Sequence, residues 1–111
     1  QMCIRDRFDI SSYVGKIKKS SSSYFYTFIN RESLAAGVLY LEPGQEDTQE
    51  PHENDEIYYV ISGDGFLNIN NKDYEVSKDK VFFVGKDVPH HFHGNKEVLK
   101  VLYFFGGPDP D

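Results

Sequence analysis

The stretch PGQEDTQEPHENDEIYYVISG, residues 43–63, decides the fold of this chain. Pro43 and Gly44 break whatever precedes them. Acidic and turn-forming residues follow, with a short extended piece carrying Glu50, Pro51 and His52. Asn54 and Asp55 turn the chain. Glu56 then heads the run Ile57-Tyr58-Tyr59-Val60-Ile61, which stops at Gly63. In a strand, alternate side chains share a face and stand about 6.6 Å apart. Glu56, Tyr58 and Val60 therefore share one face, and Ile57, Tyr59 and Ile61 the other. Glu50 and His52 share a face if their segment is extended. A carboxylate at the head of an inward face is costly unless it is paired or holds a cation. The candidate partner lies late in the chain, in VPHHFHG. There His90 and Phe92 share a face, and His91 and His93 point the other way.

Around this stretch the chain reads as short strands divided by turns. Residues 24–29 (YFYTFI) and 34–41 (LAAGVLYL) come before it. After it, Gly63-Asp64-Gly65 is a tight hairpin signal, and residues 66–69 return. A second hairpin turn at residues 70–73 leads to a strand at 74–76. Residues 81–84 (VFFV), 88–93 and 98–105 (VLKVLYFF) complete the set. Eight or more short strands at close spacing predict an all-β antiparallel barrel or jelly-roll sandwich. VFFV and VLKVLYFF are too apolar for a sheet with one wet face, so both faces are expected to be covered, in a sandwich or at a dimer contact.

The ends carry less information. QMCIRDR shows no pattern that assigns it to an element of the fold. Phe8, Ile10, Tyr13, Val14 and Ile17 are scattered apolar residues that suit an arm packed along a sheet edge. KIKKSSSS, residues 16–23, reads as a polar loop, and GGPDPD as a frayed tail. The division expected is an arm and loop over 1–23, a β-barrel over 24–105 and a tail over 106–111.

Composition sets the outer limits. A chain of 111 residues suits one domain, which buries roughly 65% of its unfolded surface without needing disulfides. With 9 Phe and 8 Tyr, it favours strands. A net charge of −6 argues against a nucleic-acid face and against an anionic membrane surface. No apolar run nears the roughly 20 residues that span a bilayer. The N-terminus is charged and lacks an apolar central region, so no secretory leader is expected. The single cysteine, Cys3, excludes an internal disulfide, and a cytoplasmic location fits.

Two imidazoles and a carboxylate with open positions form the set used by non-haem iron, and zinc accepts the same set with one water. His52, Glu56 and His90 are the candidates, with Glu50 beside them as a harder fourth donor. Taken alone, His52 reads as a surface or structural histidine, since most histidines ligate nothing. The grouping of four potential ligands in two segments is what favours a site. His91 and His93 read as exposed or hydrogen-bonded. Asp47, Asp55 and Asp87 read as turn and loop residues.

These segments resemble the two motifs of the cupin superfamily, specifically its small single-domain members. The first motif has Gly, five residues, His-x-His, three or four residues, Glu, six residues and Gly. Here Gly44 precedes five residues, Glu50-Pro51-His52 stands at His-x-His, and Glu56 and Gly63 follow at the expected spacing. In the second motif, Gly85-Lys86-Asp87-Val88-Pro89-His90 stands where Pro-x-Gly and a His occur, with Asn95 beyond. The sequence departs from the pattern at Glu50, Gly85 and Asp87. The resemblance implies one divalent metal ion (Fe, Mn, Ni or Zn) on His52, Glu56 and His90, with Glu50 carried over by position only. It implies a metal-dependent dioxygenase, lyase or isomerase acting on a small organic substrate in the barrel mouth. Tyr58, two residues beyond Glu56, is then the candidate general acid or base, and Phe66, Phe82 or Phe83, and Phe92 would wall the pocket. Two rivals are a non-catalytic module binding a small metabolite or sugar, and a structural dimer with a vestigial polar cluster. A homodimer is expected from the apolar last strand and the N-terminal arm.

Overall fold

The computed structural model describes residues 7–19 and 24–109. Cys3 and Ser20 to Ser23 lie outside the described residues. Among the described residues, eight strands follow one helix: α1 (Ile10–Lys19), β1 (Phe25–Asn30), β2 (Ala35–Leu41), β3 (Glu56–Ser62), β4 (Phe66–Ile69), β5 (Lys72–Glu75), β6 (Val81–Val84), β7 (His90–His93) and β8 (Leu99–Phe105). They form a five-stranded sheet in the order β1-β2-β8-β3-β6 and a three-stranded sheet in the order β5-β4-β7. Every pairing is antiparallel. The result is a jelly-roll of two facing sheets rather than a closed barrel.

The inward positions alternate as parity requires. Tyr58, Val60, Val101, Tyr103 and Phe105 from the large sheet meet Leu67 and Phe92 from the small one in a single core. Turn chemistry fits the strand ends. Asn70 and Asn71 both take positive φ between β4 and β5, at 51° and 69°, as a two-residue primed hairpin demands. Gly63 is tied to its place by close approach, because a Cβ there would lie 2.6 Å from the Val98 carbonyl oxygen.

The N-terminal arm is helical and packs over β1 and β2, and the helix runs through Lys19 where a polar loop was expected. Asp9 caps it, accepting from Ser11 N at 3.1 Å. Ile10, Tyr13, Val14 and Ile17 recur at i, i+3, i+4 and i+7, and this stripe packs on Val38, Tyr40, Tyr26 and Leu102. Strand β2 is buried along its whole length for that reason: the core covers one face and α1 the other. The tail is also held. Gly106 N donates to the Asp55 carbonyl at 3.0 Å, Asn54 Nδ2 to the Pro108 carbonyl at 3.1 Å, and Asn30 exchanges two bonds of 2.9 Å with the Asp109 backbone.

Gly37 permits one further feature. It faces Tyr103 across the β2–β8 ladder and Thr27 across β1–β2. The Tyr103 ring lies over this gap, and a Cβ on Gly37 would collide with its hydroxyl. Gly37→Ala is expected to cost about 2 kcal/mol or more through overpacking, read as a lowered urea midpoint. An unchanged midpoint would show that the ring is free to move.

Candidate metal centre

Three elements converge at one end of the sandwich. Glu56 and Tyr58 come from β3, His90 from β7 on the opposite sheet, and His52 from the loop before β3. Glu56 and His90 are buried at 2% and 5% exposure. Among the described residues, His52, Glu56 and His90 form a group whose ligand atoms all lie within 4.8 Å of one another. The His52 backbone is anchored by Asp87 N, which donates to its carbonyl at 2.7 Å. Asp87 holds a φ of 62°, the left-handed conformation that glycine usually supplies and that Asp tolerates.

Proton positions are constrained. His90 Nδ1 lies 2.8 Å from the Val88 carbonyl, which can only accept, so Nδ1 carries the hydrogen. In the neutral ring Nε2 then presents a lone pair. It faces Glu56 Oε1 at 3.2 Å, yet both atoms are buried without a hydrogen-bond partner. Two buried acceptors at this distance repel unless a proton or a metal cation stands between them. Burial by itself would lower the His90 pKa; the Glu56 carboxylate and the Val88 carbonyl outweigh it, and the pKa is raised above its ordinary value. His52 Nε2 stands 3.9 Å from the same Glu56 oxygen. Donors about 2.1 Å from one ion are roughly 3.0–3.4 Å apart at octahedral or tetrahedral angles. One of the separations is already in this range and the rest lie within 4.8 Å, so the donor set could close on a divalent cation.

Glu50 stands apart from this group. It is exposed at the cavity mouth, on a segment that forms no strand, so parity does not align it with His52. Gln49 turns inward instead. Its Oε1 accepts from the Tyr58 hydroxyl at 3.0 Å and lies 3.3 Å from His52 Nε2. Its Nε2 donates to Asp47 Oδ2 at 2.7 Å, which fixes the carbonyl end towards the site. Burial drives the Tyr58 pKa well above the ordinary tyrosine range, and the Glu56 and Asp47 carboxylates add to this.

Asp47 is more than a turn residue. Its buried carboxylate also accepts from the Tyr24 hydroxyl at 2.8 Å, Gln49 N at 3.2 Å and Phe92 N at 2.8 Å. Burial and this carboxylate push the Tyr24 pKa up to about 12. The loop bearing Gln49 and His52 is thereby pinned to β7. Nothing in local sequence marks Asp47 or Gln49 for these roles.

The cavity beside the cluster holds about 480 Å³. Phe25, Leu39, Tyr103 and Phe105 supply its walls, not the phenylalanines expected from sequence. Phe66 and Phe83 are exposed at 41% and 62%, and Phe92 is packed in the core. His91 is exposed, and His93 pairs with Asp73 at 2.8 Å on the outer face.

Residues 37–105 match the model of the Cupin_2 family, described as a cupin domain. The chain belongs to that family. It is 29% identical over 92 residues to the uncharacterized protein SCO3923 of Streptomyces coelicolor, covering 83% of this chain and 88% of that protein. An RmlC-like cupin from Shewanella frigidimarina superposes with a TM-score of 0.71 at 17% identity, covering 83% of each chain. A predicted oxalate decarboxylase from Thermotoga maritima superposes with a TM-score of 0.59 at 23% identity, covering 66% of this chain and 65% of that one.

Asp47→Ala strips four donors of their acceptor, one of them the buried Phe92 amide. The expected loss is about 3 kcal/mol of stability, measured by urea unfolding. A loss under about 1 kcal/mol would mean that water replaces the carboxylate.

Proposed function

We propose that this cupin is a divalent-metal-dependent protein acting on a small organic substrate in the 480 Å³ cavity, as a dioxygenase, lyase or isomerase. The observation that carries the reading is the buried, unbonded pair of Glu56 Oε1 and His90 Nε2. His52, Glu56 and His90 would hold the ion (Fe, Mn, Ni or Zn), with Gln49 Oε1 turned towards the same place. A bound divalent ion would polarise a substrate oxygen and offset negative charge developing on it. The likeness to a decarboxylase supports small-molecule chemistry only at the level of the fold.

The chain's own residues divide the work. Glu56 would cancel part of the charge of a bound ion. The Val88 carbonyl holds His90 in the tautomer that presents Nε2, as outer partners of ligating histidines do. Tyr58 is kept neutral by burial, with its hydrogen directed at Gln49. It would act as general acid or base on a substrate atom in the cavity once that atom takes the place of Gln49 as its hydrogen-bond partner. The aromatic walls exclude water from that exchange.

Metal analysis of protein purified without chelator tests this. About one equivalent of ion is expected in the wild type, and His52→Ala or His90→Ala is expected to lose most of it. An absence of metal, with no thermal shift on adding Mn(II), Fe(II), Ni(II) or Zn(II), would sink the proposal and leave the non-catalytic binding module.

We also propose a homodimer. Helix α1 covers the outer face of the large sheet over β1 and β2, but Ile57, Val81 and Phe83 on β3 and β6 are 45%, 61% and 62% exposed. Adjacent in register, they form an apolar edge that a second copy would cover. Sedimentation at micromolar concentration should give a dimer, and Phe83→Lys a monomer. A wild-type monomer would overturn this. Among the described residues, no helix is long and apolar enough to cross a membrane.

A further inference from the structure

Gln49 is held with its carbonyl oxygen towards the cluster. Its Nε2 donates to Asp47 Oδ2 at 2.7 Å, and its backbone N donates to Asp47 Oδ1 at 3.2 Å. A carboxylate only accepts, so the Asp47 contact settles which end of the amide is nitrogen. Asp47 is 7% exposed and is itself anchored by the Phe92 amide and the Tyr24 hydroxyl. The amide is therefore clamped from its nitrogen end, and Oε1 is the end left for the cavity, which Gln49 lines beside His52, Glu56 and Tyr58.

A carboxamide oxygen has two lone pairs. The Tyr58 hydroxyl takes one, at 3.0 Å. The second is left for His52 Nε2, which lies 3.3 Å away. With a hydrogen on Nε2 this contact is a long hydrogen bond. With the hydrogen on Nδ1, the form in which His52 Nε2 can ligate, two acceptors face each other across that distance. His90 Nε2 and Glu56 Oε1 stand in the same relation across 3.2 Å. Both separations fall in the range of about 3.0–3.4 Å taken by neighbouring donors on one ion. His52 Nε2 joins the two pairs, at 3.9 Å from Glu56 Oε1, and its ring is set edge-on against Phe105 with centroids 4.6 Å apart. Glu50, one residue along, is exposed and makes no such approach.

We infer that Gln49 Oε1 is the fourth protein donor of the metal centre, in the place that the sequence pattern assigns to Glu50. This rests on the metal-dependent reading of the site. The donor set becomes two imidazole nitrogens, one carboxylate oxygen and one amide oxygen. Such a set suits Mn(II) or Fe(II) better than a thiophilic metal. It carries a single negative charge, so a divalent ion keeps positive charge for a substrate oxygen. Tyr58 bonds the same amide oxygen, so one side chain links the proton-carrying phenol to the cation.

Titration of chelator-stripped protein with Mn(II), followed by the resonance signal of the free ion, tests the inference. Gln49→Ala is expected to bind Mn(II) about tenfold more weakly than the wild type, or worse. Glu50→Ala is expected to stay within about threefold, the scale of an exposed charge. Gln49→Glu separates a ligand from a support. It cannot donate to Asp47, so a merely structural Gln49 predicts weaker binding; a ligating one predicts binding at least as tight as in the wild type, because a carboxylate replaces a neutral oxygen. Circular dichroism confirms that each variant is folded, and if Gln49→Ala is not, Gln49→Glu decides. Unchanged affinity in Gln49→Ala, affinity below the wild type in Gln49→Glu, or a loss in Glu50→Ala matching that in Gln49→Ala would overturn the assignment. Binding abolished in His90→Ala but undiminished in Gln49→Ala would overturn it and leave the metal reading standing. A wild type that binds none of Mn(II), Fe(II), Ni(II) and Zn(II) would overturn both.

Discussion

A carboxylate buried between two sheets has to be answered by donors or by positive charge, and this chain meets that demand twice in opposite ways. Asp47 is answered in full by a phenol, a carboxamide and two backbone amides. Glu56 leaves one oxygen facing an imidazole nitrogen without a hydrogen bond. Both carboxylates sit at the same end of the sandwich, and the first holds the second's surroundings in place. Through Gln49 it sets the acceptor for Tyr58, and through the loop it positions His52. The satisfied carboxylate is structural, and its rigidity makes room for an unsatisfied one nearby.

Much of this was legible in the sequence. Alternation placed Glu56, Tyr58 and Val60 inward, and His90 and Phe92 opposite them, because a pleated strand leaves no other choice once one face is buried. The two motifs placed the pair at one end of the jelly-roll. The N-terminal helix escaped because its stripe of Ile10, Tyr13, Val14 and Ile17 is interspersed with Ser11, Ser12 and Gly15, poor helix formers. Its stability comes from Val38 and Tyr40, a contact no local window contains. Glu50 was aligned with His52 by a parity that applies only to strands. Residues 50–52 form none, so the inward position fell to Gln49, selected by Asp47. The buried tail escaped for a similar reason, since Asp109 finds Thr27 across 82 positions of sequence.

The two ends of the cavity are built from different material. One is carried by strands of both sheets and a pinned loop, with proton positions fixed by backbone carbonyls. The other, lined by Tyr103 and Asp109, combines a strand tyrosine and threonine with a tail that makes no ladder bonds.

That contrast bears on how such a cavity can change over generations. Tyr103 is locked by the absence of a side chain at Gly37: replacing either alone leaves a collision or a hole. The tail carries a milder constraint at Gly107, where a Cβ would lie 2.5 Å from Asn54 Oδ1, and at the buried Asp109, tied to Thr27 and Asn30. Substitution after β8 is therefore least restricted at the exposed Gly106 and Pro108, with the sheets and the cluster left as they are. The jelly-roll provides the durable part of the molecule, and the exposed positions of the segment after β8 the adjustable part.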